Sequence, residues 1–140
     1  MGRILAIDYG RKRTGIAVTD PLQIVANGLT TVATHELLNF LEDYVRRESV
    51  DLFVIGLPKT MNGELSENAR YITPFAKELA KRIPSIPIRF YDERFTSVLA
   101  HQTMLDGGLR KKARQNKALV DEISATIILQ SYMESNKTSL

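Results

Sequence analysis

The chain has 140 residues, 19 basic against 16 acidic for a formal charge of +3, with 44% hydrophobic and 25% charged residues, the balance of a folded protein rather than a disordered one. Such a length encloses one core and is too short for two domains. There is no cysteine and there are only two histidines, His35 and His101; this excludes disulfide frameworks, thiol catalysis and Cys-ligated zinc or iron–sulfur sites, and argues against a His-rich zinc site. No apolar run approaches the ~20 residues of a membrane span. Met1-Gly2-Arg3 leads directly into a strand rather than a signal peptide, so a cytoplasmic, single-domain protein is expected.

In chain order, Arg3–Tyr9 and Thr14–Thr19 are short apolar runs joined by Gly10-Arg11-Lys12-Arg13, the pattern of a β-hairpin. Asp20-Pro21 signals a turn, and Ile24–Ala33 reads as a third strand with a bulge or bend at Asn27-Gly28. From Thr34, a plausible N-cap, the period becomes helical through Leu37, Leu38, Leu41, Tyr44 and Val45. Glu42–Arg46 and Asp43–Arg47 form i,i+4 pairs on the outer side. Leu52–Leu57 is a continuous apolar run, as expected for a strand buried on both faces. Ile72, Phe75, Ala76, Leu79, Ala80 and Ile83 mark a second helix, with Pro74 either in its first turn after Thr73 or at a kink; Ser66 is a candidate start for an earlier helical turn. A fifth strand spans Ile86–Tyr91, a short helix runs from about Ser97 to Leu105 and stops at Gly107-Gly108, and a last helix covers about Lys117 to Glu134. The order β-β-β-α-β-α-β-α-α predicts an α/β domain: a five-stranded mixed sheet, with an antiparallel meander of strands 1–3 plus two parallel strands, flanked by helices.

The charge is uneven. Residues 1–70 carry 8 basic and 9 acidic side chains, and residues 71–140 carry 11 and 7. Much of the excess lies in Arg110, Lys111, Lys112, Arg114 and Lys117, which read either as a solvated loop or as a strip that contacts the phosphates of a nucleic acid.

Three acids stand out. Asp8 ends an apolar strand on the face shared by Ile4 and Ala6, where an unpaired carboxylate is costly unless it is bound to a metal or caps the turn at Gly10. Asp92-Glu93-Arg94 follows another apolar strand, at the end where α/β sheets build sites; the alternative is a local surface ion pair, which is frequent. Asp121 falls on an inward arc of the last helix with Ala118, Ala125, Ile128 and Tyr132, but Glu122 also neighbours apolar positions, Leu129 and Met133. Periodicity leaves the choice open, and an acid in the first turn also suits a helix N-terminus. If these groups converge, carboxylate oxygens suit Mg²⁺ or Mn²⁺, which need neither Cys nor His, and such a site supports phosphodiester cleavage. A phosphate-loop GxxxxGK[ST], a GxGxxG fingerprint and a Gly-x-Ser-x-Gly elbow are all absent.

Four motifs in order, Ile7-Asp8-Tyr9-Gly10 with Arg13-Thr14-Gly15-Ile16-Ala17 and Asp20, Gly56-Leu57-Pro58 with Gly63, Asp92-Glu93-Arg94-Phe95-Thr96-Ser97, and Val120-Asp121-Glu122-Ile123-Ser124-Ala125 leading to Ile128-Leu129-Gln130-Ser131-Tyr132, resemble the YqgF family across essentially the whole chain. Members are bacterial ribonuclease H-like proteins described as Holliday-junction resolvases and as nucleases that mature the 5′ end of pre-16S rRNA. The resemblance implies a single ribonuclease H-like nuclease domain over 1–140. It implies catalytic and metal-ligating roles for Asp8, Glu93 and Asp121, thereby choosing Glu93 over Asp92 and Asp121 over Glu122. Arg94 and the hairpin residues Arg11, Lys12 and Arg13 become expected phosphate contacts, together with Arg110, Lys111, Lys112, Arg114 and Lys117, and Gly56 would let backbone approach the site. The expected activity is an endonuclease using Mg²⁺ or Mn²⁺ on structured RNA, with pre-16S rRNA the leading substrate and ribosome precursors as partners. Its alternatives are a resolvase of four-way DNA junctions, which would normally act as a homodimer rather than a monomer, and a binding module that does not cut. Actin-like ATPases share an Asp-x-Gly strand but need a second domain to close over nucleotide.

Overall fold

A computed structural model describes residues 2–58, 69–93 and 117–138. Its strands are β1 (Arg3–Asp8), β2 (Arg13–Thr19), β3 (Ala26–Ala33), β4 (Val50–Leu57) and β5 (Ile88–Asp92), and its helices are α1 (Leu37–Arg47), α2 (Ala69–Arg82) and α3 (Lys117–Thr138). They form one sheet in the order β3-β2-β1-β4-β5. β1 runs antiparallel to β2 and β2 to β3, whereas β4 lies parallel to both β1 and β5. The expected mixed sheet is therefore present, with β1 at its centre.

Alternation along the strands divides the core in two. Leu5, Ile7, Ile16, Val18, Phe53 and Ile55 face one side, where Leu37, Leu41 and Tyr44 of α1 and Ile72, Phe75, Ala76 and Leu79 of α2 cover them. Both helical sets recur at the three- and four-residue spacing of one helix face. Arg82 of α2 pairs with Glu42 of α1 and donates to Asn39 at 2.9 Å, joining the two helices. The opposite side of the sheet carries Ile4, Ala6, Ala17 and Val54, packed by Ala125, Ile128, Leu129, Tyr132 and Met133 of α3. Small residues dominate this second face near β1 and β2, so α3 lies close to the backbone there.

Several boundaries differ from the sequence reading. The third strand starts at Ala26 rather than Ile24, because Asp20 holds residues 20–25 in a turn. Its Oδ1 accepts from the backbone N–H groups of Ile24 and Val25 at 2.7 Å, and its Oδ2 from Leu22 at 3.1 Å. These bonds hold the Asp20 carboxyl below the usual range for an aspartate. The bulge falls at Leu29, just after Asn27-Gly28, since Ile16 pairs with Thr30 and Ala17 with Gly28. Thr34 caps no helix: it opens a 3₁₀ turn, Thr34–Glu36, before α1. Pro74 sits inside α2 rather than in a first turn that follows Thr73; without an N–H it leaves the Arg70 carbonyl without that helical donor. β5 is displaced two residues at its start and includes Asp92, and α3 continues past Glu134 to Thr138. The helical turn considered at Ser66 and the short helix of about Ser97–Leu105 lie outside the described residues.

Candidate active site

β1 delivers Asp8 to the C-terminal end of the central strand, where the parallel neighbour β4 also ends. Asp8 pairs in register with Gly15 of β2. On the other side Ile7 pairs with Ile55, so the next step in that register sets Gly56 of β4 beside Asp8. With a glycine on each flank, neither β2 nor β4 sets a side chain beside the carboxylate, and groups from other elements occupy that space. A Cβ at Gly15 would lie 1.9 Å from the Asp121 carbonyl oxygen. A Cβ at Gly56 would lie 2.5 Å from Ile128 Cδ1 and 3.2 Å from the Glu93 carboxyl carbon. The first turns of α3 and the residue just beyond β5 thus converge over the end of β1, because only glycine admits backbone and side chains at that distance.

The electrostatics reflect this convergence. The Asp8 carboxyl is pushed up from 3.8 to about 7, first by burial and then by repulsion from Glu93 and Asp121. Glu93 is raised as well, by burial and by the charge of Asp92. Glu93 and Asp121, the other two acids expected from sequence, therefore both bear on Asp8. Of the pair that periodicity left open, Asp121 belongs to this group, while the Glu122 side chain packs against Gly28 of β3.

Asp121 has a second partner. Arg13, the first residue of β2, donates from Nε to Asp121 Oδ2 at 2.8 Å. Gly10, Arg11, Lys12, Arg13 and Asp121 together line an open cavity of about 540 Å³. Arg11 lies over the Tyr71 ring of α2, 5.1 Å from its centroid, a cation–π contact that steadies this arm of the loop. The loop is also braced from within the fold. Thr34 Oγ1 donates to the Gly10 carbonyl at 2.6 Å and lies 2.9 Å from Thr14 Oγ1; its single proton is committed to Gly10, so Thr14 is the donor of the second bond. The Thr34 backbone N–H donates to the Lys12 carbonyl at 3.0 Å.

Among the described residues, no three Asp, Glu, His or Cys side chains gather as a ready-made metal-ligand set. The chemistry of the donors nonetheless fits a hard dication: the groups are carboxylates, and Asp8 carries a cost of burial and like-charge repulsion that a cation would relieve. Arg94, Arg110, Lys111, Lys112 and Arg114 lie outside the described residues, as does the side chain of Lys117, whose backbone starts α3. Sequence reasoning missed Gly15, Thr34 and the Arg13–Asp121 pair. Gly15 had a readable signal, a glycine inside a β-branched strand; the other two depend on contacts distant in sequence.

A family profile described as "RuvX: Holliday junction resolvase" matches residues 2–135. The chain belongs to the RuvX family. This is the YqgF family of the sequence reading. Relatives named "Putative pre-16S rRNA nuclease" include one from Phocaeicola vulgatus, 70% identical over 98% of this chain and 99% of its own length. Others come from Bacteroides fragilis at 68% identity over the same shares and from Parabacteroides distasonis at 64% identity over the full length of both. Among solved structures, Thermus thermophilus RuvC in complex with a Holliday junction substrate matches with a TM-score of 0.63, 14% identity and 97% of both chains covered. That likeness establishes a shared ribonuclease H-like architecture with RuvC. Among the described residues, no helix is long and apolar enough to cross a membrane.

Proposed function

We propose that this RuvX-family chain is a metal-dependent endonuclease that cleaves structured RNA and trims the 5′ end of pre-16S rRNA. The observation that carries this reading is the approach of Glu93 over Gly56 and of Asp121 over Gly15 towards Asp8, on which both act, beside a loop bearing Arg11, Lys12 and Arg13. Asp8, Glu93 and Asp121 are the residues that would hold Mg²⁺ or Mn²⁺. When bound, the ion supplies positive charge for in-line attack of water at phosphorus and for departure of the leaving oxygen. Asp8 fixes the centre of the site because its strand is buried and cannot shift. Glu93 approaches over Gly56, and Asp121 is positioned by the contact of α3 backbone with Gly15. Arg11 and Lys12 supply cations at the rim of the cavity, where they hold the phosphate backbone of the substrate in register. Arg94 and the strip Arg110–Lys117 extend the same role.

The names of relatives up to 70% identical support the RNA substrate. The family description supports a second reading, a resolvase that cuts four-way DNA junctions. A metal-titrated cleavage assay with pre-16S rRNA and a synthetic four-way junction separates the two. Preferential, Mg²⁺- or Mn²⁺-dependent cleavage of the RNA, lost in Asp8→Asn, is the expected result. Preferential nicking of the junction would favour the resolvase, and binding of either substrate without cleavage would leave only a docking role.

A further inference from the structure

Arg13 touches an acid of this site directly, a contact that phosphate binding does not explain. It begins β2 two residues before Gly15, and Gly15 is where the backbone of Asp121 meets the sheet. One short piece of β2 therefore sets both the main chain and the carboxylate of Asp121. Arg13 is 40% exposed and Asp121 24%, so the pair sits at the wall of the cavity with solvent on one side. Asp121 Oδ2 is engaged by Arg13 Nε at 2.8 Å, and among the described residues no three acids form a ready ligand set. An Asp oxygen engaged this way presents less of its lone-pair charge to a cation, and a guanidinium beside it repels one.

We propose that Arg13 is a positioning residue that holds Asp121 in place before a divalent ion binds and yields it when the ion binds. This rests on the metal-dependent reading of the site. The ion pair offsets part of the repulsion between Asp121 and Asp8 before an ion binds, and keeps α3 seated over Gly15. Loading then exchanges one partner of Asp121 for another. The displaced guanidinium stays on the wall of the cavity that Arg11 and Lys12 also line, where a substrate phosphate is its natural next partner.

The test uses the full chain and the metal alone. Mn²⁺ affinity is measured by calorimetry for wild type, Arg13→Gln, Lys12→Gln, Asp8→Asn and Asp121→Asn, with circular dichroism to establish that each is folded. Lys12→Gln removes the same charge from the same loop without touching Asp121, so it reports the general electrostatic effect. The expected result is that Arg13→Gln binds Mn²⁺ about tenfold more tightly than wild type and clearly more tightly than Lys12→Gln, while Asp121→Asn weakens binding. In parallel, a ¹H–¹⁵N signal from an arginine Nε–H, absent in Arg13→Gln, is lost on Mg²⁺ titration with the midpoint of binding. If Arg13→Gln binds no better than Lys12→Gln while Asp121→Asn still binds weakly, the exchange is overturned and the metal site stands. If neither Asp8→Asn nor Asp121→Asn alters Mn²⁺ binding, the metal reading itself fails and the exchange fails with it.

Discussion

Asp8→Asn probes the electrostatic cost stored at the end of β1. The folded chain raises the Asp8 carboxyl from 3.8 to about 7, through burial and the nearby charges of Glu93 and Asp121. The folded state therefore binds this proton more tightly than the unfolded state. Stability contributed by the protonated form is fully present below about pH 4 and is withdrawn as pH rises through about 7. At 1.36 kcal/mol per unit, the shift corresponds to about 4 kcal/mol at pH 8 in the metal-free protein. An asparagine has no such proton to lose. Urea unfolding in the presence of EDTA, followed from pH 4 to pH 8, should show wild type losing about 4 kcal/mol relative to Asp8→Asn, a midpoint displacement of ~2 M. Any constant offset from replacing the side chain cancels in this comparison, because only the change with pH is read. Parallel stability curves for the two proteins would refute the argument, since they would mean that Asp8 ionises in the fold as it does in the unfolded chain.

Other perturbations test the geometry around that carboxylate. Gly15→Ala puts a Cβ 1.9 Å from the Asp121 carbonyl oxygen, so α3 must move; a loss of about 1–3 kcal/mol in urea unfolding together with strongly reduced cleavage is expected, and wild-type values for both would refute the close approach. Thr34→Ala removes the donor to the Gly10 carbonyl and the acceptor for Thr14, which should cost about 1–2 kcal/mol, while Thr34→Ser, which keeps both bonds, should stay near wild type by the same measurement. Replacing both Arg11 and Lys12 by alanine should weaken RNA binding and flatten its log–log salt dependence by about 1.5. An unchanged slope would place the phosphate track elsewhere.

Much of this architecture is already written in local patterns. The apolar runs, their glycine and proline punctuation and the switch from alternating to helical period were enough to give the succession of elements and a mixed sheet, because each depends on residues close in sequence. Local pattern also marked Asp8, Asp92-Glu93 and Asp121-Glu122 as candidates, and the family resemblance chose among them. Boundaries slipped where a side chain reached back to organise a turn, as Asp20 does before β3, or where a threonine expected at a helix end braces a loop, as Thr34 does for Gly10.

Composition acquires a sharper sense in this light. The absence of cysteine and the scarcity of histidine leave carboxylates as the expected metal-binding groups, and the small net charge of +3 is a sum that hides acids acting on Asp8 beside a basic loop. Sequence alone determined which residue types are available and on which strand or helix each resides. Only the tertiary structure decided that Gly15 and Gly56 flank Asp8 and that Glu93 and Asp121 crowd its carboxylate. It also decided that Arg13, 108 positions from Asp121 in the chain, takes one of those acids as its partner. Periodicity fixes the direction of a side chain within its own element, but distance and charge coupling between elements arise only once the sheet and α3 are packed.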